Sequence, residues 1–154
     1  MLYVIRHGTA EPSSAQGDFA RRLTEQGLQD LKASTFGLAR LGIRFDHLLH
    51  SPLVRAAQTA LTLEALSNHP PQETSGLAQP PDEAFLSEVR GFEGDVALVG
   101  HLPWVAEMVA WLTLGRPADS PALIFSPGTV AALEGEIEPG RMRLSGLWQP
   151  GDLA

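Results

Sequence analysis

Short apolar runs alternate with longer helix-forming segments along most of this chain. The runs "MLYVI" and "DVALVG" lack the alternation of a half-exposed strand and are typical of strands buried on both faces, and "FDHLLHS" is another strand candidate. Strands separated by helices predict an α/β domain with a largely parallel sheet. Three candidate strands near the C-terminus, "ALIF", "GTVAALEGEI" and "MRLSGLWQ", are expected to add antiparallel pieces.

Local signals predict where the helices begin and which residues connect them. The helical segments are "LTEQGLQDLKASTFGLARLG", "SPLVRAAQTALTLEALS", "DEAFLSEVRGF" and "LPWVAEMVAWLTLG". Thr24 is placed to cap the first, and Ser51 with Pro52 to begin the second. Residues 68–82, rich in proline and glutamine, are expected to form a connection. Three phenylalanines are expected in the core: Phe36, Phe45 and Phe125.

Length, charge and cysteine content limit the classes of protein that fit this chain. Its 154 residues fit one domain, spanning residues 1–154. The absence of cysteine excludes disulfides, thiolate zinc sites and phosphatases that attack through cysteine. A net charge of −7 argues against nucleic-acid binding. Residues 1–5 are too short an apolar run for a signal peptide, and no run approaches about 18 apolar residues, so we expect a cytoplasmic protein without a membrane span.

Basic side chains stand where three of the predicted strands end. Arg6 and His7 follow the first strand, with the flexible Gly8 behind them. Arg55 lies near the start of the helix after the second strand, and His101 follows "VALVG". Because the carboxyl ends of parallel strands share one edge of the sheet, these side chains are expected to meet in one crevice. Two of the strands lead into helix N-termini, which also favour an anion.

Two arginines and two histidines at one crevice suit a phosphoryl group. Planar guanidinium groups match phosphate oxygens, and a neutral imidazole can attack phosphorus to give a phosphohistidine that water later hydrolyses. Charge on the oxygens is then stabilised by the cationic groups rather than by a metal. His47 and His50 lie three apart, but on a strand they point to opposite faces, which disfavours chelation. No metal or cofactor is expected.

Four motifs together resemble the histidine phosphatase superfamily, the phosphoglycerate-mutase-like fold. They are "RHG", "RRLTEQG", "SPLVRAAQTA" and "GHLP". The resemblance implies a three-layer α/β/α sandwich with a mostly parallel central sheet. It also implies that His7 is the nucleophile and that Arg6, Arg55 and His101 bind the phosphoryl group. Two further residues are assigned to substrate binding by the same resemblance: Gly8 and Arg21.

The segment between the middle helix and the "GHLP" strand is short, which resembles the SixA-type phosphohistidine phosphatases. Larger members carry a glutamate there that protonates the leaving group. Asp82 and Glu83 are the candidate acids here, or else they simply begin a solvated helix. Without an acid, phosphohistidine or another activated phosphoryl compound is the favoured substrate, carried by a protein domain or by a small molecule.

Two other functions stay open at this point. The first is a phosphomonoesterase for a small metabolite, with Asp82 or Glu83 as acid. The second is a domain that binds phosphate or a phosphopeptide without turnover. A monomer or weak dimer is expected in each case.

Overall fold

A computed structural model describes residues 1–116 and 125–153, and these contain a six-stranded sheet. The strands are β1 (Leu2–Arg6), β2 (His47–His50), β3 (Gln72–Glu73), β4 (Val96–Gly100), β5 (Val130–Gly135) and β6 (Met142–Trp148). Their spatial order is β3-β2-β4-β1-β5-β6. Strands β1 to β4 run parallel, whereas β5 is antiparallel to β1, and β6 to β5. The predicted sheet type is therefore confirmed.

Helices cover both faces of the sheet. They are α1 (Glu25–Arg40), α2 (Val54–Leu63), α3 (Glu83–Arg90), α4 (Trp104–Leu114) and α5 (Pro150–Leu153). Leu2 and Val4 of β1 belong to a core with side chains of α3 and α4, whereas Tyr3 and Ile5 belong to a second core with α1, α2 and α5. The fold is thus the three-layer α/β/α sandwich that the resemblance implied. No helix within residues 1–116 and 125–153 is long and apolar enough to cross a membrane.

The predicted start of α1 is confirmed, and so is most of the aromatic core. The Thr24 hydroxyl accepts a hydrogen bond from the amide of Gly27 at 2.9 Å and caps α1. Phe45 and Phe125 are buried. Phe36 is 70% exposed, so its prediction as a core residue is wrong. It lies on α1 with its side chain in solvent.

The predicted start of α2 is wrong. The backbone of Leu53 is extended (φ −64°, ψ 139°), so the helix begins at Val54 and receives no side-chain cap from Ser51. Pro52 lies before the helix rather than in its first turn. Arg55 nevertheless stays in the first turn, where the sequence placed it.

Two other expectations concern the connection and the first C-terminal strand. Within residues 68–82 the short strand β3 pairs with β2 and extends the sheet by one strand at its edge, which the sequence did not predict. The predicted strand "ALIF" lies outside the described residues except for Phe125.

Candidate active site

The carboxyl ends of β1, β2 and β4 meet at one edge of the sheet. In the parallel register, Arg6 lies opposite Gly100, and His50 lies opposite Val99. The residues that follow each strand therefore leave the sheet at the same level. His7, His101 and the segment that leads to Arg55 are brought to one crevice, as the strand order requires.

His7 is held by its backbone on both sides. Its amide donates to the carbonyl oxygen of Gly100 at 2.9 Å, and its carbonyl oxygen accepts from the amide of Gly128 at 3.0 Å. Its side chain is buried. Because β4 and the turn before β5 are both fixed in the sheet, the position of the imidazole is set by the rigid part of the fold.

The His7 ring has one defined tautomer. Its Nδ1 atom lies 2.7 Å from the carbonyl oxygen of Gly8, which can only accept, so Nδ1 carries the hydrogen and Nε2 has a free lone pair. The pKa of His7 falls from 6.5 to about 4, chiefly because the ring is buried, against the opposing effect of the Gly8 hydrogen bond. The charges of Arg55, Arg6 and His101 contribute to this lowering. The imidazole is therefore neutral near pH 7.

Arg6 and Arg55 both leave part of the guanidinium group unbonded. Arg6 donates from Nη1 to the carbonyl oxygen of Phe125 at 2.7 Å, and Arg55 donates from Nη1 to that of Asp18 at 3.0 Å. Each Nε atom is buried and has no hydrogen-bond partner among the described residues. A buried donor without a partner costs about 1–3 kcal/mol. Two such donors near one imidazole favour binding of an anion with several oxygen acceptors.

His101 repeats the local geometry of His7. Its Nδ1 atom lies 3.2 Å from the carbonyl oxygen of the next residue, Leu102, which leaves Nε2 free on the other side of the ring. Beside it is a cleft of about 190 Å³. The cleft is lined mainly by apolar residues, among them Trp104, and Glu107 is one of its polar lining residues. This cleft is large enough for a leaving group next to the crevice.

Gly8 is tied to α2 through Thr59. The Gly8 amide donates to the Thr59 hydroxyl at 3.0 Å, and that hydroxyl donates to the carbonyl oxygen of Arg55 at 2.8 Å. Gly8 was predicted to bind substrate. Its amide is already bonded within the protein. Sequence reasoning missed Thr59. Thr59 could have been found from its position four residues after Arg55, since that spacing places both side chains on one face of the helix.

Arg21 is bonded to other residues of its loop. Its Nε atom donates to the carbonyl oxygen of Glu11 at 2.6 Å, and its Nη1 atom to a carboxylate oxygen of Asp18 at 2.9 Å. The second carboxylate oxygen of Asp18 lies 3.3 Å from Nη2 of Arg55. Sequence reasoning missed Asp18, an acidic residue three positions before Arg21. Direct contact of Arg21 with substrate stays a prediction.

Comparison with known proteins identifies this arrangement. The family model of the histidine phosphatase superfamily (branch 1) matches residues 2–79, about half of the chain. This chain belongs to the histidine phosphatase superfamily. An uncharacterized protein of Picosynechococcus sp. (strain ATCC 27264 / PCC 7002 / PR-6) is 36% identical over an alignment of 122 residues, and the match covers 75% of this histidine phosphatase and 74% of that protein.

Solved structures resemble this histidine phosphatase over nearly its whole length. The protein histidine phosphatase SixA, solved with tungstate, has 25% identity, a TM-score of 0.81 and coverage of 99% of both chains. A phosphoserine phosphatase variant of Entamoeba histolytica has a TM-score of 0.74 over 99% of this chain and 98% of that one, and at 16% identity this likeness concerns the fold alone. The expected superfamily and its SixA-type branch are confirmed, and the protein is a phosphatase by class.

The two candidate acids of this histidine phosphatase belong to α3. Asp82 accepts a hydrogen bond from the amide of Phe85 at 2.8 Å and caps the helix, and Glu83 forms an ion pair with Arg90. These contacts agree with the alternative interpretation, in which Asp82 and Glu83 begin a helix. A role as general acid stays a prediction for both. Among the described residues, no group of three or more histidine or acidic side chains is arranged to hold a metal ion.

Proposed function

We propose that this histidine phosphatase hydrolyses phosphohistidine, through a second phosphohistidine formed on His7 and without a metal. The main support is the fixed tautomer of His7. It leaves the Nε2 lone pair free, and the two neighbouring guanidinium groups have Nε atoms without partners among the described residues. A neutral, oriented imidazole is what nucleophilic attack on phosphorus needs. Two guanidinium groups supply the donors for the phosphoryl oxygens.

The reaction then proceeds in two steps. The Nε2 atom of His7 attacks phosphorus in line as the bond to the substrate imidazole breaks, and the departing nitrogen keeps that electron pair and takes a proton from water. Water next attacks phospho-His7, which releases inorganic phosphate and restores the free imidazole. Arg6, Arg55 and His101 hold the phosphoryl oxygens throughout and stabilise their charge.

The placement of the acidic residues supports an activated substrate. An alkoxide leaving group needs a proton donor, and general acid catalysis is typically worth about 10²–10⁴-fold. Asp82 and Glu83 are both engaged in contacts of α3. A substrate imidazole leaves without such help, because it departs as a neutral or protonated ring. Similarity to SixA, a protein histidine phosphatase, supports the same substrate class, and a protein domain would be one carrier of it.

A phosphomonoesterase for a small metabolite is the second candidate. One observation favours it: Glu107 lines the cleft beside His101, where a leaving group would lie. In that function we propose Glu107, rather than Asp82 or Glu83, as the candidate acid. Binding without turnover is the third candidate, and it differs from both by the absence of hydrolysis.

The test compares hydrolysis of p-nitrophenyl phosphate and free phosphohistidine by the wild type and the His7→Ala variant, with EDTA present. We expect faster release of phosphate from phosphohistidine and loss of both activities in the variant. The control is His69→Ala. His69 is exposed and is bonded to the backbone of Asp46. Asp46 precedes β2, so this histidine lies at the edge of the sheet opposite the crevice. Weak hydrolysis of both substrates that still depends on His7 would favour the phosphomonoesterase. Phosphate binding without any hydrolysis would refute both enzymes.

A further inference from the structure

Asp18 joins two arginines that the sequence assigned to the substrate. One carboxylate oxygen accepts from Arg21 at 2.9 Å, and the other accepts from Arg55 at 3.3 Å. The carbonyl oxygen of Asp18 also accepts from Arg55, at 3.0 Å. Asp18 itself is largely exposed, whereas the Arg55 side chain is buried. One loop residue therefore supplies both of the acceptors that hold the ends of a buried guanidinium group.

These contacts occupy one edge of the Arg55 guanidinium group and leave another free. Asp18 binds Nη1 and Nη2, which form the end of the planar fork. The side edge of the fork consists of Nε and the second hydrogen of Nη2, and Nε has no partner among the described residues. A guanidinium group can bind two acceptors on different edges at once. The contacts with Asp18 thus orient the guanidinium group and leave the Nε atom on its side edge without a partner among the described residues.

The negative charge of Asp18 is compensated locally. The hydrogen bond from Arg21 and the charge of Arg55 hold the pKa of the Asp18 carboxyl below its usual range, so it is ionised at neutral pH. An isolated carboxylate next to the crevice would repel a phosphate. Because Arg21 pairs with Asp18, the two together add no net charge, and the charge of Arg55 remains available to the substrate.

Arg21 is in turn fixed to the base of its loop. It donates to the carbonyl oxygen of Glu11, whose amide donates to the carbonyl oxygen of Arg22 at 2.8 Å. Ala10 and Leu23 form an antiparallel bridge next to this contact. The loop that carries Asp18 is therefore closed where it leaves the sheet, and Arg21 connects that closed base to the carboxylate.

We propose that Asp18 is a positioning residue that orients Arg55 for phosphate, and that Arg21 acts on the site only through Asp18. This deepens the proposed function, since it rests on a phosphate site at Arg55, and it gives Arg21 a different role from the direct ligand that the sequence suggested. If Asp18 instead competed with phosphate for Arg55, the Asp18→Ala variant would bind phosphate more tightly than the wild type.

The experiment measures the inhibition constant of inorganic phosphate and the KM and kcat for p-nitrophenyl phosphate in four variants: Asp18→Ala, Arg21→Ala, the double variant and Asp30→Ala. Asp30 is the matched control, because its carboxylate is bonded only within α1, to Gln26 at 2.8 Å. For Asp18→Ala we expect phosphate to bind on the order of tenfold more weakly and KM to rise more than kcat falls. The double variant should equal Asp18→Ala within twofold. Thermal unfolding of each variant separates these effects from loss of the fold.

Each contrary result refutes a defined part of the proposal. Tighter phosphate binding by Asp18→Ala would show competition, and unchanged binding would show that Arg55 needs no orientation. Losses that multiply in the double variant would make Arg21 a direct ligand. If the wild type shows neither hydrolysis that depends on His7 nor inhibition by phosphate, the proposed function fails first. If it shows both and Asp18→Ala behaves as wild type, only this inference fails.

Discussion

The hydroxyl of Thr59 lies 3.0 Å from the amide of Gly8 and connects α2 to the residue that follows His7. It accepts from Gly8 and donates to the carbonyl oxygen of Arg55, so a single buried side chain links the segment after β1, which carries His7, to the first turn of α2, which carries Arg55. Both of its hydrogen bonds are buried. The relative position of His7 and Arg55 therefore depends on this contact.

Replacement of Thr59 by valine should damage both stability and turnover. The change keeps the volume but leaves the Gly8 amide buried without an acceptor, which costs about 1–3 kcal/mol of the free energy of unfolding. We expect a lower denaturant midpoint and a reduced kcat. The control is Thr62→Val. The Thr62 hydroxyl donates to the carbonyl oxygen of Gln58 in the same helix and is bonded to neither Gly8 nor Arg55. Equal effects of the two substitutions would contradict a specific role for Thr59.

Protonation of His7 should destabilise the folded protein in acid. Its pKa is about 4 in the folded state and 6.5 in the reference state, so the unfolded chain binds the proton first as the pH falls. The free energy of unfolding is unaffected by this difference in pKa well above pH 6.5. It falls by about 3 kcal/mol in total as the pH drops from about 6.5 to 4. Urea unfolding of wild type and His7→Gln at pH 7.5 and 4 measures it. Parallel losses of stability in the two proteins would contradict the lowered pKa.

The same lowered pKa should extend activity into acid. The free enzyme needs neutral His7 for attack, so the acidic limb of kcat/KM should lie near pH 4 instead of near pH 6.5. The measurement is kcat/KM for p-nitrophenyl phosphate between pH 3.5 and 8, corrected for titration of the substrate and limited to pH values at which the protein stays folded. A midpoint above pH 6, in the absence of unfolding, would refute a buried neutral nucleophile.

Replacement of Gly27 by alanine should destabilise the protein in spite of the better helix propensity of alanine. A Cβ atom at this position of α1 would clash with the backbone oxygen of Thr9, two residues after His7. Overpacking of this kind typically costs about 1–3 kcal/mol, more than the roughly 1 kcal/mol gained from propensity. Gly151→Ala is the control, because nothing lies within 4 Å of its Cβ position. A higher denaturant midpoint for Gly27→Ala than for wild type would refute the clash.

Removal of any candidate acid should leave phosphohistidine hydrolysis nearly intact. For Asp82→Asn, Glu83→Gln and Glu107→Gln we expect kcat on phosphohistidine within threefold of wild type, because the imidazole leaves without a general acid. Hydrolysis of an alkyl phosphate by the same variants provides the comparison. A loss of about 10²-fold or more in one variant, on either substrate, would identify that residue as the acid.

The α/β class, the largely parallel sheet and the crevice were predictable because they depend on local patterns and on general rules of chain geometry. Uninterrupted apolar runs between helices predict parallel strands, and parallel strands bring their ends to one edge. That rule was enough to place His7, Arg55 and His101 together. It did not predict that Phe36 is exposed, because an apolar residue on a helix does not by itself show which side meets the sheet.

Periodicity and motifs were thus enough to predict the class of fold, the family and the residues at the strand ends. How those residues are held depends on contacts that form only in the folded protein. The tautomer of His7, the link from Thr59 to Gly8 and the bridge from Arg21 through Asp18 to Arg55 are hydrogen bonds with defined lengths and directions. Contacts such as that between Gly8 and Thr59 join residues 51 positions apart in the chain, so they exist only once the strands and helices have packed.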